Sequence, residues 1–179
     1  MSSPRAMIPV AVLLLAGLAI SPSRAAVAAG HETEVARCIR QSAQGRKWLE
    51  VTLWGLRDQE GGWAGAEVRN ANGSADLGPM QINSWWVPRL SAMTGGSRDD
   101  VRRWLIADIC FNVDAARWIF LTGLGETRDY WSAVGAYHSP QPVRRQRYAR
   151  AVAIAMRARF GADVFTSRNY RRHRDESAQ

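Results

Sequence analysis

A mainly helical α+β fold with one short β-hairpin is predicted by three features of the chain. Apolar residues recur at three- and four-residue spacing through most of its length. Only one stretch, residues 61–77, is dense in Gly, Asn, Ala and Ser, and it carries an Asn72-Gly73 turn signal. The composition, 46% hydrophobic and 22% charged over 179 residues, is that of one globular domain.

The elements follow in order. Residues 1–29 are expected to be a secretory signal: Arg5 supplies the positive end, Met7 to Ile20 the apolar run, and small residues follow to Ala29. Cleavage is expected between Ala26 and Gly30, with Ser23-Arg24-Ala25 as the other site. The apolar run is shorter than the roughly 20 residues of a bilayer span, which disfavours an uncleaved anchor. Val35, Cys38 and Ile39 then mark a first helix, and Trp48, Leu49, Leu53 and Leu56 a second that ends near Glu60. After the hairpin, Ser97-Arg98-Asp99-Asp100 reads as a capping box opening a helix with Val101, Trp104 and Leu105. Asp108 is expected to cap the next, whose Val113, Trp118 and Leu121 run to a stop at Gly123 or Gly125. Tyr130 to Tyr137 is another helix, broken by Pro140 and Pro142. Val143 to Phe160 is the last, with Tyr148, Val152 and Ala155 inward. The domain is expected over 30–165, and 166–179 as a basic disordered tail.

The 24 Lys and Arg against 16 Asp and Glu give a net charge of +8. Loss of Arg5 and Arg24 with the signal lowers it to +6. Ten arginines and one acid, Asp163, lie between Arg144 and Arg174. Such a charge suits a polyanion, whether nucleic acid, anionic lipid or an acidic wall polymer. Export would put Cys38 and Cys110 in an oxidising compartment where a disulfide persists; the other outcome is two separate buried thiols. Neither this pair nor His31, His138 and His173 has metal-ligand spacing, so no metal is expected. P-loop, dinucleotide and nucleophile-elbow signatures are absent from the sequence.

The chemistry rests on carboxylates. Glu60 closes a helix and is followed by Gly61-Gly62-Trp63. The negative end of the helix, and shielding by Trp63, would keep its proton on near neutrality, as a general acid requires. Asp76 follows sixteen residues later, just before Gly78-Pro79-Met80-Gln81-Ile82-Asn83, where polar and apolar side chains alternate as on a half-buried strand. An acid at a leaving oxygen and a second carboxylate near a cationic transition state suit glycosidic cleavage. Bare spacing does not separate this from surface charges bracketing a hairpin.

Gln59-Glu60-Gly61-Gly62, the run from Asn72 to Trp86, and Ala136-Tyr137-His138-Ser139 resemble, in order, the three motifs of soluble lytic transglycosylases of the lysozyme superfamily. The resemblance is closest to small exported members associated with conjugation and type IV or type III secretion, and covers residues 37–160. The middle stretch also resembles animal c-type lysozymes. The resemblance implies a lysozyme-like fold, peptidoglycan glycan strands as substrate, no cofactor, no nucleic-acid partner and a Gram-negative periplasmic location. It also implies service to a type IV or related secretion or conjugation complex. Glu60 matches the catalytic acid and base, and Asp76 the second carboxylate of lysozymes and of some secretion-associated members. Met80 and Gln81 match residues lining the sugar groove, and Tyr137 a tyrosine beside the acid. Asn83, His138 and Trp85 are the further substrate contacts expected. Adjacent tryptophans on a helix point about 100° apart, so either one of them, Trp85, lines the groove, or both pack beneath the catalytic helix. Two departures stand out: Gly61 replaces the usual Ser, and His138 the commoner Asn.

Overall fold

The computed structural model describes residues 24–165. Most of the expected signal, residues 1–23, and the expected tail, 166–179, lie outside the described residues. The order is α1 (Arg24–Ala43), α2 (Lys47–Glu60), β1 (Glu67–Arg69), β2 (Ala75–Leu77), β3 (Ile82–Asn83), a 3-10 turn (Ser84–Trp86) and α3 (Val87–Thr94). Then come α4 (Arg98–Ala107), α5 (Ile109–Thr127), α6 (Tyr130–His138), α7 (Pro142–Phe160) and a last 3-10 turn (Ala162–Phe165). The fold is mainly α with a small antiparallel sheet, in which β2 is central.

The central helix is α2. Leu49, Leu53 and Leu56 are fully buried, and so are its neighbours on other faces, because α1, α5 and α7 surround it. Each such leucine contributes roughly 1.5–3 kcal/mol of burial. At Gly55 the absence of a side chain lets α7 come close: a Cβ there would lie 2.4 Å from Met156 Cγ. Gly61 ends α2 in the left-handed region (φ 61°), its N–H returning to the Arg57 carbonyl. Glu60 is therefore the last helical residue.

The hairpin forms around Asn70–Ser74, with Asp76 paired to Val68 on one side and to Asn83 on the other. The alternation expected through Met80 and Gln81 is interrupted there. Gln81 adopts a left-handed conformation (φ 47°), so only Ile82 and Asn83 form the third strand.

Both expected caps are present: Ser97 Oγ accepts from the Asp100 N–H at 3.1 Å, and Asp108 Oδ1 accepts from the Phe111 N–H at 2.9 Å. Three expectations are corrected. Helix α5 continues through Gly123 and Gly125 to Thr127, because Gly123 packs close to Ala133 of α6 and the left-handed stop is Arg128. Trp104 and Trp131, which as helix-borne tryptophans are expected with Trp118 in the core, lie at the surface. Helix α3, with Pro88 in its first turn, was not anticipated.

Cys38 and Cys110 form a disulfide joining α1 to the first turn of α5. Across a separation of 72 residues it removes denatured-state entropy worth about 4 kcal/mol in the chain-entropy treatment. Half a turn further along α5, Asn112 is fully buried and clamps the sheet to the helices. Its Nδ2 donates to the carbonyls of Leu77 (2.9 Å) and Leu105 (2.8 Å), and its Oδ1 accepts from the Met80 N–H (2.8 Å). Asn112→Ala strands three buried backbone groups and is expected to cost about 3 kcal/mol or more, read as a lowered denaturant midpoint at unchanged m-value. A loss below about 1 kcal/mol would mean that the clamp is dispensable.

Candidate active site

Glu60 and Asp76 come together where the end of α2 meets the sheet. The approach depends on Gly62, where a Cβ would sit 2.4 Å from the Gly78 carbonyl and 2.8 Å from Gln81 Nε2. Tyr148, on α7, donates its hydroxyl to Glu60 Oε1 at 2.5 Å. Burial pushes the Glu60 carboxyl up to about 7; the Tyr148 hydrogen bond opposes the shift and the negative charge of Asp76 adds to it. Glu60 is thus half protonated near neutrality and can both give and take a proton. The shield is not Trp63, which is 58% exposed; the tyrosines of α6 and α7 take its place.

Those tyrosines are Tyr137 and Tyr148, whose rings lie 6.4 Å apart and nearly parallel. Burial, with the charge of Glu60 next, raises both phenols well above their ordinary value of 10. Both remain donors: Tyr137 gives its hydroxyl to the Met80 carbonyl at 2.9 Å. Tyr148 was read from the sequence only as a core position. A tyrosine amid arginines on a long helix carries no signal that it reaches Glu60, 88 positions away in sequence.

Asp76 is held at both oxygens, Oδ1 accepting from Asn83 Nδ2 (2.9 Å) and Oδ2 from Asn70 Nδ2 (3.1 Å). The first contact follows from strand register, Asn83 lying directly across from Asp76. Asn83 also donates to Ser74 Oγ, and its own oxygen caps Trp85 N–H. Its amide is therefore engaged by the protein, and its place here is to fix Asp76. Asn70 was not singled out from the sequence, although it begins the turn.

The remaining expected contacts divide. The Met80 side chain is fully buried, and its carbonyl anchors Tyr137. Gln81 is half-buried and donates to the Gly78 carbonyl at 2.8 Å. Trp85 is 60% exposed while Trp86 is buried, so one indole faces out and the other in. The two rings nevertheless stack, with centroids 4.3 Å apart, because the 3-10 turn keeps them adjacent. Inside, Trp86 meets Trp118 edge-on at 5.8 Å, with the Arg89 guanidinium over both. His138 is exposed and its ring lies parallel on Tyr148 at 4.7 Å. Partial burial lowers its basicity against the attraction of Asp76, and Arg144 lowers it further, which favours a neutral imidazole.

Comparison with known proteins finds relatives at this point. The chain is similar to the invasion protein IagB of Salmonella. Identity is 36% over 106 residues for the Salmonella typhimurium proteins of strains SL1344 and LT2, and 34% over 105 residues for that of Salmonella typhi. Each match covers 56% of this chain and 62% of the relative, so the chain spans less than two thirds of the length of these curated relatives. No family model matches the chain.

The hydrogen bond from Tyr148 gives a pH test. Tyr148→Phe removes the contact that favours ionised Glu60, so the carboxyl rises above about 7. Activity that needs the protonated acid then persists to higher pH. The alkaline limb of a pH–rate profile is expected to move upward; a limb that stays put would separate Tyr148 from the titration of Glu60.

Proposed function

We propose that the chain is an exported peptidoglycan lytic transglycosylase of lysozyme-like fold, acting on the β-1,4 bond between N-acetylmuramic acid and N-acetylglucosamine. The observation that carries this reading is the Glu60 carboxyl at the end of α2, held by the Tyr148 hydroxyl and pushed up to about 7 by burial, with a second carboxylate, Asp76, held by two amides nearby.

In this reading Glu60 gives its proton to the bridging oxygen, the bond from that oxygen to the muramyl anomeric carbon breaks, and the N-acetylglucosamine hydroxyl leaves. Asp76 stabilises the positive charge that develops at the anomeric carbon. Glu60, now a carboxylate, takes the proton of the muramyl 6-hydroxyl as that oxygen closes on the anomeric carbon. The products are a 1,6-anhydro end and a regenerated acid, with no water consumed and no cofactor required. Tyr148 and Tyr137 keep bulk water from the acid, and Trp85 offers an indole face for a sugar. Export is supported by the leader-like sequence at residues 1–29 and by the disulfide. Among the described residues no helix is long and apolar enough to cross a membrane. Periplasmic action that opens the wall for a secretion or conjugation apparatus belongs to the same proposal, supported by the motif order and by the invasion-protein relatives.

Asp76 favours one rival, a hydrolysing lysozyme in which water takes the place of the 6-hydroxyl. A non-catalytic wall-binding assembly factor has no use for a shifted acid. Mass spectrometry of soluble fragments from purified wall decides among the three. Each wild-type muropeptide is expected to be lighter by one water than its counterpart from lysozyme digestion. Predominantly reducing ends would establish the hydrolase, and no fragments at all the binding factor.

A further inference from the structure

We infer that an open pocket between α6 and α7 is a second binding site, for the carboxylate-bearing peptide stems attached to the glycan strand. The inference rests on the wall polymer being the substrate, as proposed above. The pocket measures about 600 Å³, with Trp131 and Ser132 contributed by α6, Arg145, Gln146 and Arg150 by α7, and Ala149 at its floor.

It is distinct from the Glu60 site. None of Glu60, Asp76, Tyr137 and Tyr148 lines it, and at about 100° per residue Ala149 and Arg150 lie roughly 100° and 160° around α7 from Tyr148. Neither Arg145 nor Arg150 belongs to any ion pair among the described residues. The Arg145 Nε donates to the Ser139 carbonyl at 3.1 Å, which fixes its guanidinium and leaves the terminal nitrogens. Trp131 is 37% exposed and is held by edge-on contacts with Tyr130 (4.9 Å) and Phe165 (5.4 Å).

Two guanidinium groups without acids beside one fixed indole select an anionic ligand that also has apolar surface. A guanidinium binds a carboxylate in a two-point fork, and stem peptides carry carboxylates next to short aliphatic side chains. A neutral glycan would leave both arginines unmatched. A single-stranded nucleic acid needs a track of successive aromatic faces along a basic groove, whereas this pocket offers one indole. Engagement of the stem on this face would hold the polymer while the glycan occupies the groove.

The test uses isotope-labelled Glu60→Gln protein, which binds without turnover, titrated with a soluble disaccharide–tetrapeptide, a disaccharide of N-acetylglucosamine that bears neither peptide nor carboxylate, and a short single-stranded oligonucleotide. The Trp131 indole N–H resonance is expected to shift with the peptide-bearing fragment and not with the bare disaccharide. Arg150→Gln, an exposed helix position, should weaken that response about tenfold and leave the product masses of the active enzyme unchanged. A Trp131 signal unmoved by the fragment, or moved equally by the bare disaccharide, overturns the site; so does displacement of the fragment by the oligonucleotide. Movement of Trp85 without Trp131 would reject this pocket alone, while silence of both indoles would reject the wall-polymer reading beneath it.

Discussion

In Glu60→Gln, release of wall fragments falls by about 10²- to 10⁴-fold, the range that general acid catalysis contributes, while wall binding and the fold persist. Glutamine keeps the shape of the side chain and can still accept from Tyr148 through its carbonyl, but has no proton to give. The titration of Glu60 supplies an independent readout. A carboxyl raised from an ordinary 4.5 to about 7 in the folded state contributes stability that is fully present below 4.5 and is lost as pH rises through about 7. The wild type should therefore lose stability relative to Glu60→Gln across that interval, because only the wild type must bury a charge. Equal pH dependence in the two proteins would show that Glu60 is not shifted. Wild-type turnover in the variant would remove it from the chemistry.

Asp76→Asn is expected to slow turnover by at least about a hundredfold, the scale of losing one preorganised charge or donor at a developing charge, without altering the product. The variant also turns one side-chain oxygen into a donor facing the amide of Asn83 or Asn70, so local repulsion adds to the lost charge. Product identity is set elsewhere. An intramolecular 6-hydroxyl already in place has a large effective-molarity advantage over water, and Asp76 does not choose between them. A second signature follows from the charge that Asp76 places on Glu60. Removing it lowers the Glu60 value, so the alkaline limb should move downward, opposite to the shift in Tyr148→Phe. Full activity would make Asp76 a hairpin residue, and a switch to reducing-end products would make it the determinant of the acceptor.

Periodicity exposed the helices because each buries one stripe: Val35, Cys38 and Ile39 on α1 and Leu49, Leu53 and Leu56 on α2 are all buried. Caps were legible because their chemistry is local, as at Ser97 and Asp108. Gly123 misled because a glycine between packed helices reads like a stop. Glu60 and Asp76 stood out through their neighbours in sequence. Their supports did not, since Tyr148, Asn112 and Asn70 act through contacts that only the fold creates. The burial of Met80 was hidden for the complementary reason: it lies in the loop that the motif marks, but only the fold shows that its side chain is fully covered.

The close seat of Met156 against Gly55 has a mechanical meaning for the chemistry five residues further on. Helices α2 and α7 carry the two ends of the Tyr148–Glu60 hydrogen bond, and this contact gauges the gap between them. A methyl group at position 55 would wedge the pair apart unless Met156 swung away, and the hydrogen bond would lengthen with the gap. The acid's proton affinity is thus calibrated by a position that bears no functional group and lies inside the hydrophobic interior. Tolerance to substitution in this protein should be narrow at a spot where a search confined to reactive side chains would never look.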